Sequence, residues 1–119
     1  MHVTRRRFEQ LVAEALDALP DDLLERAENV AVMVEDAPTP AQLREMDAHA
    51  GDDKLYGELF GLFESDELMP DRITLFRVAL GAACETEDDL YEEIRVTLVH
   101  EFAHHFGIDD DRLDELGWA

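Results

Sequence analysis

The stretch "VTLVHEFAHHFGIDDDRL", residues 96–113, decides how the chain is read. It places three of the five histidines within six residues and then turns at a glycine into three consecutive aspartates. His100-Glu101-Phe102-Ala103-His104 is an H-E-x-x-H pattern on what reads as a long helix. At about 100° per residue, positions four apart lie roughly 40° from each other round the axis, so both imidazoles can reach one ion. Glu101 falls on the same side, roughly 60° from His104. Val96, Val99, Phe102, Ala103 and Phe106 gather on an opposed arc, which predicts a core-facing back and a ligand face open to a cleft.

These residue types point to one chemistry. Two neutral imidazole nitrogens, a third protein ligand and an open position for water suit a single zinc ion. Water held by such an ion becomes acidic enough to supply hydroxide near neutral pH, and Glu101 is placed to take its proton. The pattern continues to Gly107 and Asp110, giving H-E-x-x-H-x-x-G-x-x-D. Gly107 lets the chain leave the helix through a left-handed turn that brings a third ligand back toward the metal. Asp110 occupies that place by spacing, although Asp109 and Asp111 flank it and one of the three caps the following "RLDEL". His105, about 40° round from Glu101, reads as an ordinary surface histidine, with a contact to substrate or to Glu101 as the alternative. His2 and His49 are not expected as ligands. Two histidines and a carboxylate also suit iron.

Outward from the motif, Thr86 caps the long helix, "EDDLYEEIRVTLVHEFAHHF", whose acidic start suits the helix dipole, and a short helix over "DDRLDELGW" closes the chain. "RITLFRVAL" (72–80) alternates as a strand, "LYGELFGLFE" (55–64) reads as a strand with bulges or close backbone approach, and "VAVMVE" (30–35) reads as a buried strand. Residues 36–54 read as a surface loop in which Thr39 and Pro40 can start a short helix through Ala48. Thr4 caps a first helix with Phe8, Leu11, Val12, Ala15, Leu16 and Leu19 at helical spacing, and "DDLLERAEN" follows Pro20 as a second. The order helix, helix, strand, strand, strand, long helix, short helix predicts an α+β fold in a single domain over residues 1–119.

Composition narrows the partners. Thirty acids against ten bases give a formal net charge of −20, which repels nucleic acid and anionic membranes; it reads first as a solvated surface, with a field that favours cationic segments of a substrate as the alternative. Hydrophobic content of 46% is enough for an ordinary core. Cys84 is the one cysteine, so no internal disulfide is possible, which fits a reducing cytoplasm; its "GAACET" setting predicts a small buried residue. "MHVTRRRFEQL" has no apolar run of signal-peptide or membrane-span length, and its arginines belong to an amphipathic helix.

"RVTLVHEFAHHFGIDDDRLDELGW" resembles the active-site segment of the minimal zincin-like metallopeptidases, short bacterial single-domain proteins with a matrix-metalloprotease-like catalytic unit. "NVAVMVED", "ELFGLFE" and "MPDRITLFRVAL" are similar to that family too, so the likeness covers about residues 8–118. It implies a zincin-type α+β fold, with a small mixed or antiparallel sheet of about three to four strands on a long active-site helix. It also implies one zinc ion held by His100, His104 and Asp110, Glu101 as general base, and a peptide or protein substrate. A monomer is expected. The chain departs from the metzincin pattern in lacking a methionine turn: nine residues follow Asp110 and none is Met. Trp118 either floors the metal or pins the last helix. Tyr56, Tyr91, Arg77 and His105 are open candidates for a transition-state donor. The 72–80 strand reads equally as a plain core strand or as an edge for pairing with an extended substrate. The competing reading is a zinc-binding interaction module without turnover, and a third is hydrolysis of a non-peptide amide.

Overall fold

Thr4 starts the first helix, α1 (Arg5–Asp17): its backbone is extended and its Oγ1 accepts a hydrogen bond from the Arg7 N–H at 3.2 Å. Phe8, Leu11, Val12 and Ala15 form the buried stripe that the spacing predicts. Pro20 then opens α2 (Asp21–Ala27), with Asp21 and Asp22 in the first turn where the helix dipole favours them. Strand β1 (Ala31–Glu35) leads to α3 (Pro40–Ala48). At the start of α3, Gln42 N–H donates to Thr39 Oγ1 at 3.1 Å and Thr39 N–H donates to Gln42 Oε1 at 2.9 Å, a reciprocal capping box that establishes the expected short helix. Strands β2 (Gly61–Glu64) and β3 (Arg72–Phe76) follow, then α4 (Arg77–Ala82), the long α5 (Glu87–His105) and α6 (Asp110–Leu116). The structure is a computed structural model, and it describes residues 1–48, 60–65, 67–108 and 110–117, without the side chains at 45–48, 104 and 110. Residues 55–59 of the expected 55–64 strand lie outside the described residues, as do Tyr56, His49 and Trp118.

The three strands form a mixed sheet in the order β1-β3-β2, with β1 parallel and β2 antiparallel to β3. Residues in register share a face, so Val32 and Val34, Ile73 and Leu75, and Phe63 and Gly61 all point to one side. That side meets the helices, and α5 runs between it and α1. The result is the α+β arrangement of a small sheet on a long helix.

Two expectations need correction. The strand read over 72–80 stops at Phe76, and residues 77–82 are helical. The alternation ends there because Val78 is 53% exposed while its N–H donates to Asp36 O, and Arg77 Nε donates to Asp36 Oδ1 at 2.9 Å, so tertiary bonds to the end of β1 turn the chain. Secondly, the strand read as buried over 30–35 is largely open: Ala31 and Met33 are exposed and Val34 alone of β1 is buried. Of the two readings of the 72–76 strand, core or edge, the core one holds, since β3 is the central strand. Elsewhere, Cys84 is buried as expected, and burial pushes its thiol above the ordinary range. Among the described residues no helix is long and apolar enough to cross a membrane.

The core makes a direct stability prediction. Leu98 is 0% exposed at the centre of α5, so Leu98→Ala should cost about 2–5 kcal/mol in urea unfolding. Met33, 44% exposed on β1, should lose no more than about 0.5 kcal/mol on the same change.

Candidate metal centre

The helix that carries the motif is held at both ends. At its start Thr86 Oγ1 accepts from the Asp89 N–H at 3.1 Å, and Glu87, Asp88 and Asp89 fill the first turn. Along its length burial runs nearly all round the axis. Leu90, Ile94, Leu98 and Phe102 lie on one arc, Val99 and Ala103 on another, and Thr97 on the side of the motif itself. The expected arc therefore holds for Val99, Phe102 and Ala103, while Val96 and Phe106 are half-buried. The side that carries His100 and Glu101 is not an open polar face: both residues are half-buried, with fully buried Thr97 one turn before them.

At its C-terminus α5 ends as the sequence predicts. Gly107 has φ +77, and Ile108 N–H donates to Ala103 O at 2.7 Å, which closes a Schellman-type turn. Ile108 packs against the core, and fully buried Leu113 anchors α6. The chain thus turns back directly after the motif, and Asp110 is the first residue of α6. The His104 backbone is helical, one turn beyond His100; the side chains of His104 and Asp110, two of the expected ligands, lie outside the described residues. Among the described residues no three His, Cys, Asp or Glu side chains converge on a metal position. The donor set nevertheless fits zinc in kind: histidine nitrogens and a carboxylate, with a carboxylate base at Glu101.

One neighbour of the motif was not visible in the sequence. His105 stacks on Phe63 of β2, with ring centroids 3.8 Å apart and planes 18° from parallel. Its Nε2 lies 3.6 Å from Asp71 Oδ2, and Phe106 meets it edge-on at 5.2 Å. His105 is partly exposed, as the sequence suggests, and its ring is in addition held against β2. No spacing rule links residue 105 to residues 63 and 71; the aromatic "LFGLF" run was the only hint. The other donor candidates are engaged elsewhere. Arg77 donates to Asp36 and to Val3 O and holds the Asp36 carboxyl below its usual range. Tyr91 packs against the core early in α5.

A family model described as zincin-like metallopeptidase matches residues 27–118, which include every element from β1 to α6 and the whole H-E-x-x-H helix. No curated protein matches the chain.

Gly107 provides a clean test of the turn. Nothing lies within 4 Å of where its Cβ would stand, so Gly107→Ala adds backbone strain without a clash. The change should cost about 1–2 kcal/mol in chemical unfolding, and Gly107→Asn should cost less, because asparagine tolerates the left-handed region better.

Proposed function

The chain belongs to the zincin-like metallopeptidases, and we propose that it is a zinc-dependent peptidase that hydrolyses peptide bonds with Glu101 as general base. The observation that carries this reading is the H-E-x-x-H pattern on one continuous, core-bound helix that ends in a left-handed glycine turn directly before Asp110. In this reading His100, His104 and Asp110 hold one zinc ion. When bound, the ion supplies a Lewis acid for the scissile carbonyl and lowers the pKa of the attacking water. Glu101 takes the proton from that water and delivers it to the leaving amine nitrogen.

Substrate would lie as an extended chain along a sheet edge, which uses backbone hydrogen bonds and tolerates many sequences. With β3 in the centre, β2 is the outer strand beside α5 among the described residues, so the pairing role considered for residues 72–80 passes to β2. The net charge of −20 favours peptides with cationic segments and disfavours nucleic acid and anionic membranes. A monomer working in the cytoplasm fits a chain whose single cysteine is buried.

Metal analysis of protein purified without added zinc should find about one zinc per chain, and His100→Ala and Asp110→Ala should retain less. Glu101→Gln should keep the metal but lose roughly 10²–10⁴-fold in hydrolysis of a quenched peptide library. Equal zinc in wild type and His100→Ala would refute the ligand assignment. Zinc-loaded wild type that cleaves no peptide would instead favour a binding module.

A further inference from the structure

Thr97, Glu101 and His105 are four residues apart on α5, so they form one ridge along the helix, with the proposed base in the middle. Strand β2 rests on both ends of that ridge. At one end Gly61 sits over Thr97: a Cβ built on Gly61 would lie 3.0 Å from Thr97 Cγ2, 3.2 Å from Leu75 Cδ2 and 3.3 Å from the Thr74 carbonyl oxygen. At the other end Phe63 stacks on His105 at 3.8 Å. Gly61 and Phe63 are two apart in an extended strand, so both point to the helix side. Thr97 is fully buried, which with the 3.0 Å approach marks a close contact.

We propose that Gly61 is a positioning residue: by carrying no side chain it lets β2 settle onto the Thr97–Glu101–His105 ridge, and so fixes the distance between a peptide paired with β2 and Glu101. This rests on the peptidase reading above. A methyl group at residue 61 meets a side chain and a backbone oxygen at once, so the strand must lift by a few tenths of an ångström. A peptide hydrogen-bonded to β2 moves with it, so binding survives. Its distance from Glu101 changes, so the loss falls on the chemical step.

The test compares wild type, Gly61→Ala, Thr97→Ser and the double variant; serine keeps the hydroxyl and removes the methyl that the new Cβ would strike. The backbone amide NMR signals of Leu62 and Phe63 should shift in Gly61→Ala and return toward wild type in the double variant, with zinc per chain unchanged. For an unstructured peptide, kcat should fall about tenfold in Gly61→Ala with KM changed by less than about twofold, and the double variant should recover most of it. If Gly61→Ala does not fold, Phe63→Leu loosens the other end of the seat, and it should lower kcat in the same way without rescue by Thr97→Ser. Unmoved amide signals overturn the seat whether or not the protein is an enzyme. Amides that shift and recover while kcat stays constant overturn the positioning role and leave the peptidase reading standing. A zinc-loaded wild type without turnover, with the amide shifts still present, overturns the proposal through the peptidase reading while the seat itself stands.

Discussion

A helix can present two imidazoles and a carboxylate to one point only if its rotation about its own axis is fixed. Here burial fixes it. Leu90, Ile94, Leu98 and Phe102 lock α5 from one side, and Val99 and Ala103 from another. Sliding or rolling the helix would expose several of these side chains at once, each worth about 1.5–3 kcal/mol of burial. The half-buried His100 and Glu101 inherit their direction from that packing. The motif is thus a local pattern on a helix whose rotation is set by the core behind it, and the same core holds the sheet against that helix.

The second constraint is the way the chain leaves α5. A helix end leaves carbonyls without intrahelical partners, and the Ile108 N–H to Ala103 bond satisfies one of them only because Gly107 takes a positive φ. The reversal leads into α6, with Leu113 as its buried anchor in the core. Asp110 and Asp111 open α6, where the helix dipole favours negative charge, which offsets part of the cost of gathering acids in a chain already at −20. One glycine therefore serves the helix cap, the chain reversal and the position of Asp110.

What was legible in the sequence was local. Thr4, Thr39 and Thr86 each cap the helix that follows, and the apolar spacing of α1 and the Gly107 stop of α5 were readable because their causes lie within a few residues. What was not legible depends on distant partners. Phe76 and Arg77 look alike as strand residues, and only Asp36, some forty positions earlier, decides that the chain turns into α4 there. Strand order is equally nonlocal: nothing in "RITLF" says that β1 pairs with it in parallel and β2 antiparallel, which is why the core and edge readings of that strand stayed open. The tie between His105 and Phe63 escaped for the same reason.

The two outer edges of the sheet are treated differently, and that difference bears on where a peptide pairs. Ala31 N–H bonds to Asp71 O on the β3 side, so by alternation Val32 and Val34 turn their backbone groups outward from β1. The Arg5 guanidinium of α1 donates to the outward Val34 carbonyl at 2.6 Å. A cation on a strand edge blocks the hydrogen bond an added strand would need, a common guard against unwanted pairing. Arg5 lies ahead of residues 27–118, so this guard comes from the segment outside the family match. With β1 guarded in this way on the far side of β3, the proposed pairing falls to the β2 side, next to the helix that carries Glu101. In that reading the N-terminal helix contributes to where pairing occurs, although none of its residues is close in sequence to the motif.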